Sequence, residues 1–425
     1  MNERPRQRWL KLDNAAKVYP AARSRAWSNV YRLAFDLTEP VDRPALERAL
    51  ERTAKRFPYI CARLGTGLFW YYLEPADQPI EIMNELSAPC TCMSREETRR
   101  CCMRVRVYEN RIAVEIFHAI TDGNGGLVFL KTLVAAYLEE RYGVVVPPVC
   151  GVADLTKRPT QAELEDSFIR NCGEVSRPRK EPIAFRIPGK RAPEEPLSLI
   201  RGEIDVEALK SAAKSYGVSI TTYLVAALMY SMQAIQAEHH PIRALRKPIR
   251  VLVPVNLRPF FGSTTLRNFV LFVTPSIDPK LGAYTFPEII RAVHHQLGLE
   301  LTDKQLRTRI TKNVQSELNP ILKAVPLFIK NPVMWTIYRV VGERASSLTI
   351  SNLGNVTLPD EMKPYVTGID FVLGMQSILP YSSSAISYDG KLRLTFTRSI
   401  PEPVLERVFF PFLRSQGICA KIRSN

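Results

Sequence analysis

The chain has 425 residues, 46% of them apolar and 24% charged, with a formal net charge of +16. That length exceeds one ordinary core, so two domains of about 200 residues each are expected. The composition excludes a disordered or low-complexity protein, and no uninterrupted apolar run reaches the roughly 18 residues that a membrane span needs.

In chain order, Val30 to Leu37 reads as a strand. Asp42 to Phe57 reads as an amphipathic helix with Leu46, Leu50 and Ala54 on one face. Gly67 to Leu73 is predicted as an aromatic strand. Met103 to Tyr108 and Arg111 to Phe117 form a predicted hairpin turning at Glu109-Asn110. Ile112, Val114 and Ile116 alternate, and His118 keeps their parity, which directs its ring toward the packed face. Leu127, Leu130, Val134 and Leu138 then fall at helical spacing. Prolines 178, 182, 188, 193 and 196 among charges mark a linker or crossover. The second half restarts with a strand over Ser198 to Ile204 and helices from Val206 and from Ser219. Strands are predicted at Ile249 to Leu257, Asn268 to Thr274, Ser347 to Ser351 and Tyr365 to Leu373, with a hairpin over Ala385 to Thr397. Helices fill Phe286 to Leu301, Asp303 to Glu317, Pro332 to Val341 and Pro401 to Gln416. Each half therefore mixes strands and helices, which points to two α/β lobes around a shared cleft.

The segment richest in chemistry is Ile116-Phe-His-Ala-Ile-Thr-Asp-Gly123. A histidine at a strand end can take a proton from a hydroxyl or amine near neutral pH. An aspartate four residues on can brace the loop without being the base. The spacing His-x-x-x-Asp-Gly points toward acyl transfer. Taken alone it is also consistent with a buried structural His118 and with Asp122 as the N-cap of the next helix. The remaining histidines form the adjacent pairs His239-His240 and His294-His295 on helices, where neighbours point apart and make a poor metal pair. Cys90, Cys92, Cys101 and Cys102 lack the paired Cys-x-x-Cys spacing of a zinc knuckle, so no metal site is read. The eight cysteines are taken as reduced thiols. Residues 1–10 are polar and carry three arginines rather than an apolar leader, from which a cytoplasmic location is expected.

Four further segments carry a resemblance: Trp9-Leu-Lys-Leu-Asp-Asn-Ala-Ala-Lys-Val-Tyr-Pro20, Leu46 to Leu64, Val253-Pro-Val-Asn-Leu-Arg258 with Arg267-Asn-Phe269, and Ser351-Asn-Leu-Gly-Asn355. With the histidine motif, and in this order, they resemble the condensation-domain and chloramphenicol-acetyltransferase-like acyltransferase superfamily, most of all its alcohol acetyltransferase branch. The resemblance implies an α/β (α+β) fold of two lobes, each a mixed sheet with helices, around a central tunnel. Residues 1–175 would form the N-terminal lobe, 176–197 the linker and 198–425 the C-terminal lobe. It implies that His118 is the general base and that Asp122 is a structural brace paired with Arg258 of the second lobe. Gly123 would permit close backbone approach to the donor. Ser351 would be an oxyanion donor, although a structural strand hydrogen bond fits it as well. Asn352 is structural, because regular strand geometry turns it to the opposite face from Ser351. Condensation domains often carry two consecutive histidines; here the first is Phe117, which favours a stand-alone enzyme.

The implied reaction moves an acetyl or longer acyl group from acyl-CoA to an alcohol or amine, with no permanently bound cofactor. The excess positive charge suits the phosphates of coenzyme A. It also suits an acidic acyl carrier protein bearing a phosphopantetheine-linked acyl thioester; a non-catalytic binding protein on the same scaffold is a third reading, against which the retention of His118, Asp122, Gly123 and Arg258 argues. The cations are scattered, with small clusters at Ser176 to Lys180 and Arg307 to Arg309, so no nucleic-acid arm is read.

Overall fold

The computed structural model describes residues 9–22, 27–85, 88–176, 182–191, 197–239, 247–337, 343–376 and 378–424. Prolines 178, 193 and 196 of the expected linker, with Arg177 to Lys180 and His240, lie outside the described residues.

One sheet carries, in spatial order, Val366–Leu373, Val30–Leu37, Arg111–Phe117, Met103–Tyr108 and Ile82–Asn84. The hairpin register sets Met103 opposite Ile116 and Val105 opposite Val114, which stacks apolar side chains on one face. Glu109 at its turn has φ 47°, the left-handed conformation that a tight two-residue hairpin demands. The helix Arg43–Arg56 begins where the Asp42 carboxylate accepts the Ala45 N–H, and it buries Leu46, Ala49 and Leu50. It packs against the Gly123–Tyr142 helix, whose Phe129, Leu130, Leu133 and Val134 are fully buried.

The second sheet runs Val270–Val273, Ile249–Asn256, Leu348–Asn355, Tyr381–Tyr388, Lys391–Arg398, Ser198–Asp205 and Ala420–Ser424. Leu348–Asn355 is parallel to both its neighbours; the other pairs on this path are antiparallel. The helix Ile220–His239 lies at its core, with Leu224, Val225, Ala227 and Leu228 at zero exposure. Phe286–Glu300 and Val404–Ser415 pack on that helix. No single helix among the described residues is long and apolar enough to cross a membrane.

The architecture is the mixed α/β, two-lobed one expected, with one exchange that the sequence did not announce. Val366–Leu373 comes from the second half of the chain but pairs with Tyr31 to Leu37 in the first sheet. A partly buried ion network ties this strand to the second sheet. Arg393 donates to Asp36 at 2.6 Å and to Asp370 at 3.1 Å. Arg201 meets Asp370 at 2.8 Å, and Arg111 donates to Asp36 at 2.7 Å. A Cβ on Gly368 would collide with the Arg393 guanidinium.

Two local expectations are corrected. Gly67 to Leu73 is not one strand: Ala62–Thr66 and Tyr71–Pro75 pair as a hairpin whose tip holds Gly67 to Trp70. Its aromatics mimic strand composition, but the tip pairs with nothing on the strand ladder. The helix expected from Pro332 starts earlier, at Leu327, and accommodates Pro332 within the span Leu327–Ile337.

Candidate active site

The Arg111–Phe117 strand ends one residue before His118, whose N–H donates to the Asn29 carbonyl at 2.8 Å. The loop then closes on Asp122, the N-cap of the Gly123–Tyr142 helix. Asp122 Oδ1 accepts the N–H groups of Asn124 and Gly125, each at 3.1 Å. The glycines here serve packing, not left-handed backbone. A Cβ on Gly125 would strike the Leu266 carbonyl from the second half, and one on Gly126 would lie 2.6 Å from the Tyr31 hydroxyl. Tyr31 in turn donates to the Asp122 carbonyl at 2.8 Å, locking the loop to the sheet.

The His118 ring is partly buried between aromatic neighbours. Tyr19 stacks on it at 4.6 Å between centroids, and Tyr31 meets it edge-on at 5.1 Å. Nδ1 lies 3.0 Å from Asn268 Oδ1. The Asn268 amide is oriented by Asp13, which is 1% exposed: Asp13 Oδ2 accepts Asn268 Nδ2 at 3.2 Å and the Asn268 backbone N–H at 3.3 Å. Because Asn268 Nδ2 must face the carboxylate, its oxygen faces the imidazole. An amide oxygen can only accept, so His118 Nδ1 carries the hydrogen and Nε2 is left with the lone pair. Burial pushes the His118 pKa below its ordinary value, against the opposing pull of its own backbone, Asp122 and Asn268. The ring is therefore neutral, and a proton acceptor at Nε2, through neutral pH. Burial also pushes Asp13 up to about 7, against the stabilising charge of Arg267.

Asp122 does not reach the imidazole ring by hydrogen bond; it binds Arg258. Arg258 Nη1 donates to Oδ2 at 2.9 Å and Nη2 to Oδ1 at 3.1 Å, a two-pronged pair with Asp122 only 2% exposed. The Phe269 N–H adds a third donor to Oδ2 at 2.9 Å. Arg258 Nε and Nη2 also donate to the Thr265 and Arg267 carbonyls, at 2.7 and 2.6 Å. N-cap and ion-pair partner are thus not alternatives: one carboxylate starts the helix and holds the second half against it.

The structure brings His118, Asp122, Gly123 and Arg258 together. Gly123 approaches Leu353 of the Leu348–Asn355 strand; a Cβ there would sit 2.9 Å from Leu353 Cδ2. Ser351 shares strand parity with Leu353, but among the described residues it makes no hydrogen bond to His118, Asp122 or Arg258. Asn352 is engaged elsewhere, donating to Thr221 Oγ1 at 3.0 Å and accepting the Gly354 N–H at 2.8 Å. His294 and His295 are exposed on their helix. The Cys90 thiol faces the Val372 carbonyl and the Cys102 thiol the Thr98 carbonyl. A cavity of about 400 Å³ lined by Phe185, Arg186, Arg191, Lys247 and Ile400 does not include His118. Asp13, Tyr19 and Asn268 carry no role in the sequence reading, although they lie inside Trp9 to Pro20 and the Arg267-Asn-Phe triplet. The segments were visible; the side-chain contacts between them were not.

The chain shares its two-lobed α/β fold with solved structures of TRI101 and of condensation domains. It is similar to F. sporotrichioides TRI101 complexed with coenzyme A and T-2, at TM-score 0.65 and 13% identity, over 97% of this chain and 99% of that one. The first condensation domain of the calcium-dependent antibiotic synthetase matches at TM-score 0.63 and 15% identity, over 96% of each chain. The uncharacterized protein Rv2305 of Mycobacterium tuberculosis is 24% identical over 414 residues, covering 91% of this chain and 90% of that protein. No family model matches the chain.

Proposed function

We propose that the chain is an acyltransferase that moves an acyl group from acyl-CoA to an alcohol, or less readily an amine, by direct transfer in a ternary complex. The observation that carries this reading is the single free lone pair at His118 Nε2, on a ring held neutral where the two halves meet. In the proposed step, Nε2 takes the proton of the acceptor hydroxyl as its oxygen attacks the thioester carbonyl carbon. The carbon–sulfur bond then breaks and His118 returns the proton to the leaving thiolate. Asp122 and Arg258 hold the loop and touch no substrate. Ser351 is proposed to donate to the developing oxyanion. Likeness to a protein complexed with coenzyme A supports the donor class.

The test is thioester consumption over an acyl-CoA panel with mixed alcohols and amines, read by mass spectrometry. His118→Ala is expected to lower turnover by about 10²- to 10⁴-fold, the usual contribution of a general base, with the circular dichroism spectrum unchanged. Normal turnover in that variant would sink the mechanism.

A second reading keeps the chemistry and changes the donor. The net charge of +16 and the likeness to condensation domains suit an acyl group delivered on the phosphopantetheine of an acidic carrier protein. Consumption of a carrier-bound thioester with none of free acyl-CoA would establish it in place of the first.

A further inference from the structure

The helix Leu327–Ile337 turns apolar side chains outward. Phe328 is 70% exposed, Val333 54%, Ile329 48% and Trp335 41%. On a helix, positions 328, 329, 332, 333 and 335 fall within less than half the circumference, so these residues share one broad face. The tip of the Ala62–Thr66 and Tyr71–Pro75 hairpin extends it. The Leu68 carbonyl accepts the Leu327 N–H at 2.8 Å, and both Leu68 and Trp70 are exposed. Asn331 Nδ2 donates to the Tyr71 hydroxyl at 2.8 Å, fastening the tip to the helix. Exposed apolar residues scattered singly are ordinary; a contiguous set on two docked elements is not.

The two segments that carry this face hold charge of one sign, and Glu317, just before them, is already paired with Lys17. Residues 319–337 contain Lys323 and Lys330 and no acidic residue, and residues 66–71 contain no charge at all. Lys11 stands 4.7 Å above the Trp70 ring, adding a third cation. Lys330 reaches back to the Phe69 carbonyl at 3.0 Å, which keeps its ammonium at the join of tip and helix. Aromatic and aliphatic side chains rimmed by lysines suit the boundary of an anionic bilayer, where the apolar groups enter the acyl edge and the ammonium groups meet phosphates. A second copy of the chain would place like charges against like, because a two-fold contact pairs each patch with itself.

We infer that the Leu327–Ile337 face and the Leu68–Trp70 tip dock on an anionic phospholipid surface. The Val18–Ala22 helix packs on Leu327–Ile337, and its Tyr19 stacks on His118. Docking therefore sets the membrane one short helix away from the proposed base, on the side from which lipid-soluble substrates partition. The docking itself does not depend on the reaction, because it is measured as binding.

The test is cosedimentation of the full chain with phosphatidylcholine vesicles and with vesicles containing one third phosphatidylglycerol. The protein is expected to pellet with the anionic vesicles and not with phosphatidylcholine alone. Combining Phe328→Glu with Val333→Glu is expected to reduce the bound fraction about tenfold or more, while thioester turnover on soluble substrates stays unchanged. An unaltered protein left in the supernatant with both vesicles would overturn the inference, as would a double variant that binds equally well. A dimer in light scattering that the double variant dissolves would also overturn it, in favour of a second copy.

Discussion

Asn268 is placed to govern His118. Its oxygen holds the Nδ1 hydrogen, and Asp13 decides which end of the amide faces the ring. Asn268→Leu removes that acceptor and one of the influences that raise the His118 pKa. Turnover is expected to fall about 10- to 100-fold, as when groups that orient a functional histidine are removed. The acid limb of the pH–rate profile, already below the ordinary histidine value near 6.5 in the unaltered protein, is expected to move lower still. A residue that merely packed would leave that limb in place, and nitrogen chemical shifts of the labelled imidazole would report the loosened tautomer directly. His118, Asp122 and Gly123 were legible as one local motif, whereas Arg258, 136 positions from Asp122, was legible only through the resemblance of Val253 to Arg258 to a known family. Asp13 and Asn268 were not, because their link spans 255 positions and depends on which way an amide points.

The elements around the loop are fitted as much by what is missing from them as by what they carry. Gly125 opens the Gly123–Tyr142 helix where the Leu266 carbonyl of the second half comes close. Gly125→Ala must push Leu266 and Thr121 away, and overpacking of this kind costs about 1–3 kcal/mol. Because the displaced carbonyl lies next to Arg267 and Asn268, turnover is expected to fall further than thermal stability predicts. Comparing calorimetric midpoint with turnover for this one variant checks it; a proportionate loss in both would mean the helix start and the site are not coupled. Element positions were read well wherever a segment was long, as in Val30–Leu37, Arg43–Arg56 and Phe286–Glu300. They were missed where pieces were short or tertiary contacts defined them, as in Leu10–Lys11, Ile82–Asn84 and the final Ala420–Ser424.

At the scale of the molecule, the two sheets are joined through partly buried charge. Burial works against the ionised Asp36, but Arg111 and Arg393 outweigh it and hold its carboxyl below the usual range. A depressed carboxylate stabilises the fold above its unfolded value near 3.8, and that contribution fades only as the pH falls below about 4. Arg393→Leu leaves Asp36 and Asp370 with fewer partners, and a loss of about 3 kcal/mol is expected in urea unfolding near neutral pH. A markedly smaller loss would mean that Arg111 and Arg201 suffice. None of this network could be read from the chain, because the strand that carries Asp370 reads like its neighbours in the second half.

That strand has a consequence for synthesis on the ribosome. Val30–Leu37 is made early, but the partner that covers its open edge is not complete until residue 373 has emerged. Until then the nascent first lobe presents an apolar strand with unpaired backbone groups, the kind of edge that recruits other chains. Maturation of the first lobe is thus deferred until most of the polypeptide exists. A ribosome stalled before that point would carry a sticky half-sheet in need of a chaperone.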